Sequence, residues 1–139
     1  MTQEPATYTR PLPEPGDVTR PFWDALREHK LVLQHSKKGK RAIYYPRSVS
    51  PFGPKDELTW QECSGRGTVY SFTVARRPTA PQWEDAGDYV IAIVEIEDGA
   101  HITANILNCD PGAVRIGMAV RAVYQDVTPD VTLLQFEPA

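Results

Sequence analysis

The sequence predicts a mainly β fold, in which a small closed barrel follows an N-terminal helix and a short ribbon-like segment. The 13 prolines among 139 residues argue against a helical bundle, because proline breaks the interior of a helix. From residue 58 onward, apolar residues recur at every second position, as they do in half-buried strands. Glycines and an Asp-Gly pair separate these runs, and Asp-Gly is a strong hairpin signal. A chain of this length can bury one hydrophobic core.

The first part of the chain is predicted to form an extended arm and then one helix. Residues 1–18 contain four prolines, and a segment of that composition favours an extended backbone. A helix follows in "RPFWDALREHK", with Thr19 as its N-cap. Its apolar stripe of Phe22, Trp23 and Leu26 either pins the helix to the core or presents the aromatic pair to another subunit. The sequence alone leaves both interpretations open.

Residues 19–57 hold this helix and the ribbon-like segment. The stretches "LVLQH" (31–35) and "RAIYY" (41–45) have the pattern of two short strands, and the basic turn "SKKGK" joins them. A loop rich in serine, proline and glycine, "SVSPFGPKDE", completes the segment.

The remaining residues, 58–139, are predicted to form the barrel. The predicted strands span 58–63, 67–77, 88–97, 101–107, 118–124 and 131–136. Tyr70, Phe72 and Val74 should share one face of the second of these strands. The third is apolar on both faces through Val94, which indicates a strand covered on both sides. Five or six strands in about 80 residues predict a closed barrel of the OB-fold type, with a split sandwich as the alternative.

The charge of the chain is divided unevenly. The net charge is −3, but residues 1–55 carry ten Lys and Arg against five Asp and Glu, whereas residues 56–139 carry five against thirteen. An acidic barrel is a poor binder of nucleic acid, since phosphate neutralisation supplies most of the non-specific affinity. No apolar run approaches the roughly 20 residues that span a bilayer, and the polar, proline-rich start does not look like a signal peptide. We therefore expect a cytoplasmic protein that binds neither nucleic acid nor a membrane.

No catalytic residue is predicted from the sequence. His29, His35 and His101 lack the context of a nucleophile paired with a base. The two cysteines, Cys63 and Cys109, are 46 residues apart, so they form neither a four-thiolate zinc site nor a short redox motif. We expect both to be buried, inert thiols.

The longest predicted loop, "RRPTAPQWEDAGDY" (76–89), is a candidate binding segment, because long loops in compact domains are often functional. Arg76 and Arg77 would face phosphate groups of a ligand, and Trp83 would face a partner or the same ligand. The alternative is a solvated loop with Trp83 folded against the barrel. Trp60, with the two aromatic residues of the helix, is a candidate for a partner interface.

The order of these segments resembles a known family. The stretches "FWDAL", "KLVLQ", "LTWQECSGRGTVYSFTVARR", "YVIAIVEIEDG", "ANIL" and "DPGAVRIGMAVRAVY" follow one another in the chain. From about Thr19 to Phe136, the sequence is similar to the acyl-CoA-associated OB-fold family, also called domain of unknown function thirty-five. The most specific parts of the resemblance are "SGRGTVYSFTV" and "RIGMAV".

The resemblance implies a rubredoxin-like zinc ribbon before the barrel, in which two CxxC pairs bind the metal. The four corresponding positions in this chain are Ser36, Gly39, Ser50 and Gly53. Glycine offers no side-chain ligand, and zinc prefers sulfur and nitrogen to a serine hydroxyl. We therefore expect a degenerate ribbon that binds no metal and rests on local packing of its apolar and aromatic side chains.

The resemblance also implies a function. Members of the family are generally small accessory subunits of thiolase-like enzymes, namely thiolases, acyltransferases and aldolases that cleave steroid side chains. The thiolase-like partner supplies the catalytic residues. We therefore expect a non-catalytic subunit of a hetero-oligomer that has no cofactor of its own and shares a CoA thioester ligand with its partner. The alternatives are a free-standing acyl-CoA or lipid-binding module and, least favoured, an OB-fold that binds single-stranded nucleic acid.

Overall fold

The computed structural model describes residues 8–139, so part of the predicted arm, residues 1–7, lies outside the described residues. The predicted mainly β fold is confirmed. In chain order, the elements are α1 (Arg20–Arg27), β1 (Val32–Ser36), β2 (Arg41–Ile43), β3 (Leu58–Glu62), β4 (Arg66–Ala75), β5 (Tyr89–Ile96), β6 (His101–Ile106), β7 (Ala119–Asp126) and β8 (Thr132–Pro138). Two short 3₁₀ turns, Pro81–Ala86 and Pro111–Ala113, lie in the loops.

Five strands close the barrel in the order β4-β5-β6-β8-β7, and β7 returns to pair with β4. The contact between β6 and β8 is parallel, and the other pairs are antiparallel. This is the Greek-key barrel of an OB-fold. The closed barrel excludes the split sandwich.

The strand β3 belongs to a second, three-stranded sheet of order β2-β1-β3. It pairs with β1 from Val32 opposite Glu62 to Ser36 opposite Leu58, whereas the sequence analysis assigned residues 58–62 to the barrel segment. Alternation of apolar and polar residues predicts a strand but does not reveal which sheet the strand joins. The division of the chain into three segments stays a prediction.

A β-bulge changes the faces of β4. The pairing with β5 shifts register between Val69 and Ser71, because a bulge places two residues opposite one and turns the later side chains over. Val69 is buried, Tyr70 is 54% exposed, and Phe72 and Val74 pack against the core. The prediction that Tyr70 shares a face with Phe72 and Val74 is therefore wrong.

One continuous core joins the barrel and the three-stranded sheet, and α1 lies between them. The helix begins after Thr19, as predicted, although the Thr19 hydroxyl accepts a hydrogen bond from the Gly16 amide instead of capping the helix. Phe22 and Leu26, one turn apart, are both buried in this core. Within residues 8–139, no helix has both the length and the apolar character needed to cross a membrane.

Candidate functional site

The outer side of β5 is apolar and open. Val90, Ala92, Val94 and Ile96 point into the barrel and are buried, while Ile91 and Ile93 point outward and are each 37% exposed. The sequence predicted a strand covered on both sides, and within the described residues only the inner side is covered. The apolar outward residues are the feature that needs an explanation.

Tyr70 extends this apolar surface from β5 onto β4. The bulge in β4 turns Tyr70 outward, and its ring centroid lies 4.5 Å from that of His101 on β6. The ring therefore lies over the outer side of β5. We call Tyr70, Ile91 and Ile93 together the outer β5 face. His101 forms its polar border, where the Nε2 atom lies 2.8 Å from the Glu95 carboxylate.

An aromatic groove adjoins the outer β5 face and shares Ile91 with it. Its volume is about 350 Å³. The large apolar and aromatic side chains that line it are Phe22, Trp23, Leu26, Tyr44, Trp83, Tyr89, Ile91, Ile102, Leu133 and Leu134. The groove thus lies between α1, the barrel and the loop after β4. We call this cavity the aromatic groove.

Trp83 forms one wall of the aromatic groove. Its ring stacks on Tyr89, with centroids 5.0 Å apart, and the Arg10 guanidinium lies 4.3 Å from the indole centroid on the arm side. Arg10 also lies 3.5 Å from the Asp85 carboxylate in the same loop. These contacts fold Trp83 against the barrel, as the alternative interpretation expected, and they fix it beside the groove. Its contact with a partner or a ligand stays a prediction.

The two arginines of this loop differ in their surroundings. Arg76 Nη1 donates a hydrogen bond to the Asp88 carboxylate at 2.7 Å, so its charge is already paired. Arg77 is exposed and has no ion pair within residues 8–139. The phosphate-facing role of Arg76 and Arg77 stays a prediction.

Of the three aromatic residues predicted at a partner interface, only two reach the surface. Phe22 is 2% exposed and contacts the rings of Trp23, Tyr44 and Tyr45, so it packs in the core and cannot touch a partner. Trp23 lines the aromatic groove, and its Nε1 donates to the Tyr45 hydroxyl at 3.0 Å.

Trp60 lies on β3 in the three-stranded sheet and is exposed. It is therefore accessible to a partner. For Trp23 and Trp60, the interface role stays a prediction.

At the four positions where the resemblance implies zinc ligands, a carboxylate links the two serines. Both Ser36 and Ser50 donate hydroxyl hydrogen bonds to the same oxygen of Asp56, and the Lys38 amide donates to the other oxygen at 2.8 Å. The Gly39 amide donates to the Ser36 hydroxyl at 2.7 Å. The ribbon is thus held by hydrogen bonds around Asp56, which the sequence analysis did not single out.

The ionised form of Asp56 is the favoured one. Burial acts to raise the pKa of Asp56, but the hydrogen bonds from Ser36, Ser50 and two backbone amides outweigh it and hold the pKa below its ordinary value of 3.8.

The structure also explains why glycine stands at the other two positions. A side chain at Gly39 would collide with the Phe52 ring, and Gly53 has a φ of +124°, which favours glycine.

The histidines and cysteines show no exposed nucleophile beside a base in the described part of the chain. His29 is 2.9 Å from the Asp126 carboxylate, and His101 has the Glu95 partner given above. Cys63 is buried, as predicted, while Cys109 is only half-buried. Burial, followed by the charge of Asp98, raises the pKa of the Cys63 thiol to about 12. Such a thiol is not a nucleophile near neutral pH.

Fold and surface define the class of protein, an OB-fold barrel with a ribbon-like sheet and an open apolar face. The family model described as "ChsH2, C-terminal OB-fold domain" matches residues 60–125. A DUF35 domain-containing scaffold protein of Methanocaldococcus jannaschii is 36% identical over 111 residues, which cover 78% of this chain and 77% of the relative. The chain belongs to the DUF35 family.

Two further relatives are longer proteins. The 3-oxo-4,17-pregnadiene-20-carboxyl-CoA hydratase alpha subunit of Mycobacterium tuberculosis is 36% identical over 118 residues, which cover 84% of this chain and 36% of that subunit. The probable enoyl-CoA hydratase alpha subunit of Thermomonospora curvata is 29% identical over 139 residues, covering 100% of this chain and 43% of the relative. The chain therefore spans less than half the length of these two relatives.

Two solved structures share the fold. A chain of the structure titled "Ltp2-ChsH2(DUF35) aldolase" superposes with a TM-score of 0.78 at 29% identity, covering 91% of this chain and 98% of that one. A DUF35 protein of unknown function from Sulfolobus solfataricus gives a TM-score of 0.59 at 17% identity, covering 89% and 85%. The second comparison shows the fold alone.

Proposed function

We propose that this chain is a non-catalytic accessory subunit of a thiolase-like acyl-CoA enzyme, in which it completes the complex and shapes the acyl-CoA site. The observation that carries the proposal is the outer β5 face, which is apolar, exposed and continuous with the aromatic groove. Contiguous apolar surface of this kind marks interaction sites. Tyrosine and tryptophan, which border it here, are enriched in protein interfaces.

The comparisons support a partner that acts on CoA thioesters. The structure with a TM-score of 0.78 is titled as an aldolase formed by Ltp2 and a DUF35 chain, and this chain covers 98% of the chain it matches. The two hydratase relatives are named as alpha subunits. All of these names describe components of assemblies, which favours a hetero-oligomer over a chain that acts alone. The proposal keeps the expected cytoplasmic location.

The face and the groove suggest separate tasks. The outer β5 face is a flat strand surface, so a partner strand or helix can cover Ile91 and Ile93 and gain about 25 cal/mol for each Å² of apolar surface buried. The aromatic groove is narrower and would border the acyl or pantetheine part of a CoA ester. Arg77, at the start of the loop that carries Trp83, would then face the phosphate groups.

Co-expression with a thiolase-like protein from the same genome tests the proposal. A tagged chain should retain that protein, and Ile93→Asp should weaken the complex at least about tenfold, because it places a charge in a buried apolar contact. Val49→Asp is the matched control, since Val49 is an exposed valine in the loop after β2. Both variants should remain folded by circular dichroism. Retention of the partner at full affinity by Ile93→Asp would contradict the assignment of this face.

The free-standing acyl-CoA-binding module is the second candidate, and the aromatic groove is the observation that favours it. Calorimetry of the isolated chain with a long-chain acyl-CoA distinguishes the two. Saturable binding that Arg77→Ala weakens, in a chain that captures no thiolase-like protein, would favour the module. Nucleic-acid binding has less support, because residues 56–139 carry thirteen Asp and Glu against five Lys and Arg, and this acidic balance would repel phosphate.

A further inference from the structure

Three side chains that can ligate a metal meet where the three-stranded sheet joins the barrel. His35 lies on β1, Cys63 directly follows β3, and Asp98 lies in the turn between β5 and β6. Their ligand atoms all lie within 4.8 Å of one another. Cys63 is 6% exposed, and the side chains of His35 and Asp98 are 16% and 23% exposed. None of the three occupies a lost ligand position of the ribbon.

His35 is oriented as metal-binding histidines are. Its Nδ1 lies 3.2 Å from the Leu33 carbonyl oxygen, and because a carbonyl only accepts, Nδ1 carries the proton and donates it. In the neutral ring, the lone pair is then on Nε2, which lies 3.5 Å from Asp98 Oδ2. Metal-ligating histidines generally donate one ring N–H to a carbonyl or carboxylate and bind the ion with the other nitrogen.

Asp98 has an oxygen without a partner. Its Oδ1 is buried and accepts no hydrogen bond from the residues between 8 and 139. A buried carboxylate oxygen that lacks a partner is costly. The turn itself is fixed, since the Ala42 amide of β2 donates to the Asp98 main-chain carbonyl at 2.8 Å. A carboxylate and an imidazole lone pair thus face one another beside a thiol. A cation bound between them would accept these electron pairs and stabilise the arrangement.

We propose that His35, Cys63 and Asp98 bind one Zn²⁺ ion at this junction, with water in the fourth position. Sulfur, nitrogen and carboxylate oxygen are the ligands that zinc takes, whereas magnesium and calcium prefer oxygen alone. Ligand atoms around a tetrahedral zinc ion lie roughly 3.3–3.8 Å apart, given bond lengths of about 2.0–2.3 Å. His35 Nε2 and Asp98 Oδ2 are already 3.5 Å apart, and the other separations, all within 4.8 Å, would have to shorten by at most about 1–1.5 Å.

Binding requires the thiolate, so Cys63 releases its proton to water as the Zn–S bond forms. Zinc affinity therefore increases with pH. A role of Cys63 as a catalytic nucleophile is disfavoured, because the side chain is almost fully buried. A structural ion fits better. It would tie β1 and the end of β3 to the β5–β6 turn of the barrel, and so hold the ribbon sheet in place although the ribbon's own zinc ligands are lost.

Titration of the full-length chain with Co²⁺ after treatment with a chelator tests the site. We expect one ion per chain, a thiolate-to-cobalt charge-transfer band, and displacement of the ion by Zn²⁺. Cys63→Ala should remove the band, and His35→Gln should lower the affinity at least about tenfold. Two variants serve as matched controls and should bind as the wild type does. Cys109→Ala removes the other thiol, and Ser36→Ala removes a hydroxyl from a lost ribbon-ligand position.

Three results would overturn the proposal. The first is the absence of stoichiometric binding, which would leave His35 as a neighbour of Asp98 with no ion between them. The second is a charge-transfer band that persists in Cys63→Ala or moves with Cys109. The third is binding that depends on Ser36 but not on His35, which would place the ion in the ribbon. If Cys63→Ala does not fold, the two separate variants His35→Gln and Cys109→Ala still test the site. Weaker binding by the first and unchanged binding by the second would support it, and any other result would contradict it.

Discussion

Replacing Phe22 by alanine separates core packing from partner contact within the aromatic pair of α1. Phe22 is 2% exposed, and its ring makes edge-to-face contacts with Trp23, Tyr44 and Tyr45 at centroid distances of 5.0, 6.0 and 5.9 Å. Both side chains line the aromatic groove, but Trp23 is only half-buried and is the more accessible of the two. Phe22→Ala should therefore lower the stability of the chain, whereas Trp23→Ala should mainly weaken the complex.

The expected loss of stability follows from this packing. Truncation of a buried phenylalanine to alanine costs about 3–5 kcal/mol, because transfer free energy is lost and a cavity remains. Each aromatic pair adds about 0.5–1.5 kcal/mol beyond area burial, so the three contacts place Phe22→Ala in the upper part of that range. Against a total stability of about 5–15 kcal/mol, the midpoint of thermal unfolding should fall by roughly 10–20 °C.

Urea denaturation followed by circular dichroism measures this change in the free energy of unfolding. Phe22→Leu is the matched control, and its cost should be clearly smaller because it leaves a smaller cavity. A loss below about 1 kcal/mol for Phe22→Ala would refute the reasoning, since that value is typical of surface substitutions. Equal effects of Phe22→Ala and Trp23→Ala on stability would also contradict the division between core and groove.

Two further predictions concern titratable groups. The pKa of Asp56 is lowered in the folded chain, so its stabilising contribution is present above the unfolded value of 3.8 and is lost as the pH falls through the folded value. Acid unfolding curves should therefore show a cost of Asp56→Asn at neutral pH that shrinks below about pH 4, while the exposed Asp130→Asn shows none. With a pKa of about 12 and a buried side chain, Cys63 should react with iodoacetamide at pH 8 far more slowly than Cys109. Equal labelling rates, measured by mass spectrometry, would count against the burial of Cys63.

The sequence predicted the barrel well because its signals are local. Asp98-Gly99 marked the turn between β5 and β6, and Gly99 adopts a φ of +96° there. In β6, Ile102, Ala104 and Ile106 are buried at alternate positions, which is the period-two pattern from which the strands were predicted. The bulge at Tyr70 and the pairing of β3 with β1 were missed. Both depend on which strand lies alongside, and no pattern within a single strand contains that information.

The ribbon-like segment has a hydrogen-bonded centre at the positions where the family resemblance implies zinc ligands. The sequence identified the four positions, but it did not predict that Asp56, which lies beyond all four of them, would accept hydrogen bonds from Ser36 and Ser50. A carboxylate at that point carries the charge opposite to that of a zinc ion. The serine hydroxyls fit this reversal, because hydroxyls donate protons where thiolates would have donated electron pairs. Two of the four positions are therefore matched to Asp56.

The sequence predicted that β5 is apolar on both faces, but it did not predict which residues lie beside its outward side chains. Ile91 and Ile93 stood out because an outward strand position in an OB-fold barrel is ordinarily polar when it meets water. Their neighbours on that face are Tyr70 from the bulge and the aromatic groove beside Trp83, which come from separate parts of the chain. Ile91 and Ile93 are each 37% exposed, so part of their apolar surface is not covered within the described chain. The proposed function assigns that remaining surface to a second protein, and co-expression with a thiolase-like partner is the test of this assignment.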